Sequence, residues 1–226
     1  MDGKGYCMTG ESGRNNFLVT GFGRSGTEFL SRIMDRSEIW SVPHEPREGF
    51  DSEEFFKGAW IPEQILRDFD RDYYGEVNSR LRFYLFRLPV KKAGIIARDP
   101  KEIFLSVMNR KKYHKIYKEM IDSILFSLNI FADYSNKFSP LIIDFEKMVS
   151  DKEYLERTLR WFGIEDVSVS EEDLKKKVNK NKRIKFDSFD DLPRKIRREF
   201  ESRNWEVLME KIQDGPPGEA KGGHDT

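Results

Sequence analysis

A glycine-rich turn near the N-terminus is composed of residue types that bind anions. Residues 21–27 read GFGRSGT and lie between a short apolar run at 17–20 and apolar residues at helical spacing. The backbone N–H groups of such a turn, together with the positive end of the following helix dipole, bind phosphate or sulfate. Arg24 adds a cation, and Ser25 and Thr27 add hydroxyl donors. The turn therefore predicts a site that counters negative charge on a leaving group.

Three interpretations of this turn are open. Its letters satisfy G-x-G-x-x-G, but a dinucleotide-binding protein would end its second strand on an acidic residue about 20 residues on. Glu45 lies near that distance behind a Val-Pro-His sequence, which does not resemble such a strand end. The Walker A pattern of nucleotide kinases and NTPases fails, because no Gly-Lys-Ser/Thr is present. An ordinary strand-to-helix turn is disfavoured by Arg-Ser-Gly-Thr inside it.

A second pair of phosphate-binding residues lies far along the chain. Arg98 follows the apolar run at 94–97, and Ser106 lies eight residues later on a predicted helix. A phosphate dianion is well bound by a guanidinium fork and a hydroxyl donor. These two side chains can converge, because one ends a strand and the other lies in the second turn of the helix. Each residue also has a simpler explanation when it is considered alone. Arg98 would form an ion pair with Asp99 or Glu102, and Ser106 would be a neutral helix residue.

Together the two segments resemble the sulfotransferase family, whose members use 3′-phosphoadenosine 5′-phosphosulfate (PAPS). The family's 5′-phosphosulfate loop has the form Lys/Arg-Ser-Gly-Thr, which residues 24–27 match. Its 3′-phosphate pair is an arginine at a strand end and a serine eight residues later, like Arg98 and Ser106. The resemblance covers residues 17–36 and 94–164.

The resemblance implies a fold, a cofactor and a set of site residues. The fold is α/β, a P-loop-like three-layer fold with a mainly parallel central sheet flanked by helices. The cofactor is PAPS, with 3′-phosphoadenosine 5′-phosphate (PAP) as product and no metal required. The residues implied to bind the cofactor are Arg24, Ser25, Gly26, Thr27, the adjoining Glu28, Arg98 and Ser106.

Sulfuryl transfer needs a general base near the phosphosulfate loop, since the acceptor loses a proton as it attacks. The strand predicted after the first helix ends in His44 and Glu45, and strand carboxyl ends in parallel sheets face the ligand. Glu45 is the preferred base, by similarity to tyrosyl-protein sulfotransferases, and His44 is the alternative. Arg24 would also serve catalysis by countering charge on the leaving group. Both residues could instead have purely structural roles. His44 would then form a hydrogen bond with the backbone, and Glu45 would form an ion pair with Arg47.

The acceptor and a basic segment are less well specified. Arginine at position 24 and a carboxylate as base resemble the site residues of carbohydrate or tyrosyl-protein sulfotransferases more than those of cytosolic small-molecule sulfotransferases. A saccharide hydroxyl is therefore the preferred acceptor. Residues 175–185 carry a run of Lys and Arg that is by default a solvated face. In the family a basic C-terminal segment closes over the 3′-phosphate, a role that Lys182 and Arg183 would take here. A non-enzymatic anion- or nucleic-acid-binding module using this segment is a further alternative.

Composition limits the other classes of function. The 226 residues carry 40 Lys plus Arg and 40 Asp plus Glu, and the zero net charge argues against a nucleic-acid binder that relies on overall basicity. Cys7 is the single cysteine, which excludes an intramolecular disulfide, and the three histidines are scattered. No apolar run approaches the roughly 20 residues needed to cross a bilayer. The sequence therefore predicts a cytoplasmic protein with no membrane or nucleic-acid partner.

The elements that must position these residues follow from the apolar pattern. Short apolar runs alternate with helical patterns, which is typical of a parallel sheet covered on both faces. We expect a single domain at 16–213, with disordered ends at 1–15 and 214–226. Strands are predicted at 17–20, 39–42, 94–97 and 140–143, and helices after 27, after 99, at 117–136 and at 154–162. Residues 55–77 look helical and irregular, and 82–88 fit a strand or a helix.

Overall fold

The structure is a computed structural model that describes residues 14–46, 61–110, 113–175 and 186–213. Its centre is a sheet of parallel strands in the order β2-β1-β3-β4. The strands are β1 (Asn16–Gly21), β2 (Tyr74–Val77), β3 (Lys92–Ala97) and β4 (Leu141–Asp144). Helices cover both faces, so the predicted α/β fold with a parallel central sheet is confirmed.

Helices follow or connect the strands. The α-helices of the described segments are α1 (Thr27–Met34), α2 (Glu63–Asp68), α3 (Pro100–Met108), α4 (Tyr117–Phe138), α5 (Phe145–Ser150), α6 (Lys152–Phe162), α7 (Glu171–Lys175), α8 (Arg194–Glu201) and α9 (Trp205–Gln213). Short 3-10 helices lie at Arg80–Tyr84 and Phe189–Asp191. The helices predicted after 27, after 99, at 117–136 and at 154–162 are confirmed, with bounds that differ by a few residues.

Each face of the sheet has its own apolar core, because successive side chains of a strand point to opposite faces. On one face Leu18 and Ile95 pack among buried residues of α3 and α4. On the other face Val19 and Ile96 pack among buried residues of α1 and α6. The carboxyl ends of the strands consequently meet at one edge, between two layers of helices.

The strand predicted at 39–42 is wrong, and the strand beside β1 is β2. Residues 41–44 lie along β2 but form isolated bridges, Ser41 with Tyr74 and His44 with Val77. Pro43 has no N–H to donate, which prevents a regular ladder there. Tyr74–Val77 lies in the segment that looked helical and irregular, so that interpretation is wrong for these residues. Of the ambiguous stretch 82–88, residues 82–84 belong to the first 3-10 helix, Arg80–Tyr84.

Several predictions concern segments outside the described residues. These are the disordered ends, apart from residues 14 and 15, the pairing of Glu45 with Arg47, and residues 176–185 of the basic segment, with Lys182 and Arg183. Among the residues that are described, no helix combines the length and the apolar character that a membrane crossing requires.

Candidate functional site

The turn between β1 and α1 has a backbone that depends on glycine. Gly26 precedes the first residue of α1 with φ 92°, a left-handed conformation, and Arg24 has φ 82°. A Cβ atom on Gly26 would lie 2.7 Å from the ring of Phe145. The turn is further closed by the N–H of Ser25, which donates to the Phe22 carbonyl at 3.0 Å.

We expect Gly26→Ala to lower the free energy of unfolding. The left-handed conformation alone costs a non-glycine residue about 1–2 kcal/mol, and the contact with Phe145 adds to this cost. Urea denaturation of the variant and the parent measures the difference. Gly23→Ala is the matched control, because a Cβ atom there would meet only Ser79 Oγ, at 3.9 Å. Equal stability of the Gly26 variant and the parent would contradict the prediction.

The first turn and the second motif are in direct contact. The Nη1 group of Arg98, at the end of β3, donates to the backbone carbonyl of Arg24 at 2.7 Å. The Nε group of Arg24 donates to Ser106 Oγ, on α3, at 3.1 Å. Asp99 begins α3 by accepting a hydrogen bond from the N–H of Lys101 at 2.7 Å. The cap fixes the start of the helix, and with it the approach of Ser106 to the turn.

Positive charge is concentrated where the two segments meet. Burial lowers the pKa of Arg24, and the neighbouring guanidinium groups of Arg110 and Arg98 lower it further, while Glu28 opposes the shift. Burial also lowers the pKa of Arg98, against the attraction of Glu102. Cations that disfavour one another's charge would be stabilised by an anion between them. The site is therefore electrostatically suited to a phosphate or sulfate group.

Two buried donors of the predicted motifs lack partners. Within the described part of the chain, Ser25 Oγ and Arg98 Nε are buried without a hydrogen bond. An unpaired buried polar group is costly, and a ligand that accepts hydrogen bonds at this site would lower that cost. One atom belongs to each of the two motifs, and their residue types suit an anion.

Arg110 is a further cation beside the candidate site that neither sequence motif includes. It lies two residues beyond the end of α3, where its N–H donates to the Val107 carbonyl at 2.9 Å. Its charge acts directly on Arg24. Spacing by four along Arg98, Glu102, Ser106 and Arg110 is the signal that would have found it.

His44 and Glu45 reach the same edge of the sheet from the segment beside β2. His44 Nε2 lies 3.4 Å from Thr27 Oγ1, at the start of α1. Glu45 Oε1 accepts hydrogen bonds from the hydroxyl of Ser79 at 2.5 Å and from its N–H at 3.3 Å. Glu45 Oε2 lies 3.7 Å from Arg80 Nε. Both carboxylate oxygens are thus held by the residues that follow β2.

The loop after β2 lies beside the glycine-rich turn. The Ser79 hydroxyl would be 3.9 Å from a Cβ atom on Gly23. Ser79 and Arg80 were not predicted as site residues, because their segment fitted neither a strand nor a helix clearly. Their contacts with Glu45 join positions more than thirty residues apart in sequence, as the 34-residue separation of Ser79 and Glu45 illustrates.

A cavity of about 1020 Å³ opens at the carboxyl ends of β3 and β4. Its lining includes Arg98, Asp144 and Trp205, but not Arg24, Ser106 or Glu45, so it adjoins the site through Arg98. Asp144 caps α5 by accepting from the N–H of Lys147 at 3.0 Å. Among the described residues, no three His, Cys, Asp or Glu side chains are grouped to hold a metal ion.

Comparison with known proteins gives a likeness of fold. No protein-family model matches the sequence, and a search of curated proteins finds no match. Among solved structures, the chain is similar to a sulfotransferase from Alicyclobacillus acidocaldarius, with a TM-score of 0.53 and 15% sequence identity. The similarity covers 89% of this chain and 95% of that one. The chain therefore has the same α/β, parallel-sheet fold as a bacterial sulfotransferase.

Proposed function

We propose that this protein is a sulfotransferase that moves a sulfuryl group from PAPS to an acceptor hydroxyl. One observation carries the proposal. Arg98 and Ser106 both bond to Arg24, across separations of 74 and 82 residues, and so join the two motifs into one cationic site. A ligand with phosphate-type groups at both ends needs two such anion-binding segments side by side.

In this proposal the residues of the turn hold the 5′-phosphosulfate. Ser25 and Thr27 supply hydroxyl donors, Gly26 permits the close approach of backbone N–H groups, and Arg24 supplies positive charge. Arg98 and Ser106 hold the 3′-phosphate, and the buried Arg98 Nε is a donor left for it. PAPS supplies the activated sulfuryl group. The protein contributes by orienting PAPS and the acceptor and by stabilising the charge that develops during transfer.

Glu45 is the proposed general base for the acceptor. Ser79 and Arg80 orient its carboxylate, and the left-handed backbone at Glu45, with φ 43°, is a local strain of the kind found at functional sites. His44 is the alternative base, and its contact with Thr27 brings it near the turn. We propose a saccharide hydroxyl as acceptor on the resemblance to carbohydrate sulfotransferases. The cytoplasmic location and the absence of a metal requirement stay predictions.

Calorimetry with PAP tests the proposed function. We expect binding of PAP without magnesium, and weaker binding of adenosine 5′-phosphate, which lacks the 3′-phosphate. A nucleotide kinase or NTPase would instead bind ATP with magnesium. An anion- or nucleic-acid-binding module would show binding of nucleic acid that weakens steeply with salt, and no preference for PAP. Absence of heat at about 1 mM PAP, a free energy near −4 kcal/mol, would refute the proposal.

We expect Arg110→Ala to weaken PAP binding by about tenfold, because loss of one partly solvated cation near a phosphate costs roughly 1–1.5 kcal/mol. The measurement is the dissociation constant from calorimetry at two salt concentrations. The loss should shrink at high salt, which screens the missing attraction. Arg157→Ala, on the exposed side of α6, is the matched control. Equal affinities of the Arg110 variant and the parent would remove Arg110 from the site.

A further inference from the structure

Arg82 is a buried cation that the proposed cofactor site does not use. It lies in the first 3-10 helix, just after β2, and 6% of its surface is exposed. Burial lowers its pKa to about 10, and the charge of Glu45 opposes the shift. The guanidinium therefore keeps its charge at neutral pH. Burying a charge is expensive unless specific partners compensate for it, so the partners indicate its purpose.

The partners of Arg82 hold its guanidinium rigidly. Nε donates to Ser127 Oγ, on α4, at 2.8 Å, and Nη1 donates to the backbone carbonyl of Ser79. The guanidinium lies over the ring of Phe83 at 4.1 Å and over that of Phe22 at 5.1 Å. Phe22 belongs to the glycine-rich turn. Arg82 thus ties together α4, the loop after β2 and the turn.

Ser79 connects this cation to the proposed base. Its carbonyl accepts from Arg82, while its N–H and hydroxyl donate to Glu45. The Ser79 N–H shares a peptide plane with the Asn78 carbonyl, which accepts from Thr20 Oγ1 at 2.8 Å. The next peptide plane carries the Ser79 carbonyl and is held by Arg82. Thr20 and Arg82 together therefore fix the backbone at Ser79, and with it the position from which the Ser79 hydroxyl reaches Glu45.

We infer that Arg82 is a positioning residue that holds the backbone of Ser79, and through the Ser79 hydroxyl the Glu45 carboxylate, in place to take the proton of the acceptor. The inference rests on the proposed function, in which Glu45 is the base. Arg82 acts through Ser79 and its own charge. Its contact with the glycine-rich turn is with the Phe22 ring, and not with the residues proposed to bind the PAPS phosphates. A positioning role therefore affects turnover and leaves PAP binding intact.

Kinetics of Arg82→Gln, with Arg82→Lys as a second variant, test this role. We expect kcat per PAP-binding molecule to fall about 30- to 100-fold for Arg82→Gln, since small misplacements of a reacting group have effects of this size. Arg82→Lys should recover part of the loss, because it keeps the charge without the two-sided hydrogen bonding. The dissociation constant for PAP should stay within about twofold. Arg71→Gln, which removes a cation lying over the Tyr74 ring, is the matched control.

Combination with Glu45→Gln separates positioning from a general structural effect. If Arg82 acts through Glu45, Arg82→Gln should reduce the residual rate of Glu45→Gln far less than it reduces the parent rate. Equal reductions in both backgrounds, or an unchanged kcat in both Arg82 variants while the parent transfers sulfate, would overturn the inference and leave the proposed function standing.

A crystal structure of an Arg82 variant gives a readout that does not depend on activity. We expect the Glu45 carboxylate to leave the Ser79 donors in Arg82→Gln, or in Arg82→Lys if the first variant does not fold. A carboxylate that keeps both hydrogen bonds would overturn the positioning role. Failure of the parent protein to bind PAP would refute the proposed function, and with it the catalytic part of the inference.

Discussion

Replacing Arg98 by alanine should weaken PAP binding by about 100-fold. Hydrogen bonds to charged groups contribute up to roughly 3 kcal/mol, and about 1.4 kcal/mol corresponds to a factor of ten. The large value is expected because most of the Arg98 side chain is buried and its Nε has no hydrogen bond in the described residues, so much of the cost of desolvating the cation is already met before a phosphate binds. Calorimetry with PAP measures the effect.

Two further measurements make the Arg98 result specific. Adenosine 5′-phosphate should lose little affinity in Arg98→Ala, because it lacks the group that Arg98 is proposed to bind. Arg98 also donates to the Arg24 carbonyl and lies over the Phe145 ring at 4.2 Å, so thermal unfolding of the variant must be compared with that of the parent. Equal losses for the two nucleotides would indicate a disturbed turn and contradict a 3′-phosphate contact.

The parts of the site that the sequence predicted are those built from local patterns. The glycine-rich turn lies between an apolar strand and an amphipathic helix, and both are visible within a dozen residues. Arg98 and Asp99 are marked by the end of an apolar run and by a helix cap. Local signals of this kind predict the structure well, because an apolar pattern and a helix cap depend on residues that are close together in the sequence.

The strand β2 was missed because its residues suit distant partners. Glycine weakens the interior of a strand, so Gly75 argued against a strand here. The paired sheet nevertheless requires it, because a Cβ atom at this position would lie 2.1 Å from the ring of Phe17. Glu76 is a carboxylate in a fully buried position, where Tyr74 and Asn78 donate to its two oxygens at 2.9 and 2.6 Å. Neither requirement is visible before the strands are paired. Residues 39–42, which have a better local strand pattern, make one isolated bridge, Ser41 with Tyr74.

The contacts around the proposed base could not be predicted from the sequence either. Glu45 is held by Ser79 and approached by Arg80, and both follow β2. Their partnership depends on residues 41–44 running beside that strand. His44 and Glu45 nevertheless lie at the carboxyl ends of the strands, as the sequence predicted, because His44 forms a parallel bridge with Val77 at the end of β2. Residues 39–42 do not form the strand that was predicted to bring His44 and Glu45 there, and their role as candidate bases stays a prediction.

Replacing Glu45 by glutamine should lower kcat by about 10² to 10⁴-fold, the range that general base catalysis contributes. Glutamine keeps an oxygen that accepts from Ser79 but cannot take the acceptor's proton, so PAP affinity should stay within about twofold. The measurement is turnover with labelled PAPS and a panel of saccharides, with calorimetry on the same samples. His44→Asn is the matched variant, because it removes the other candidate base beside Thr27. A near-normal rate in Glu45→Gln with a large loss in His44→Asn would transfer the role of base to His44, since the two side chains reach the same edge of the sheet and one proton acceptor suffices.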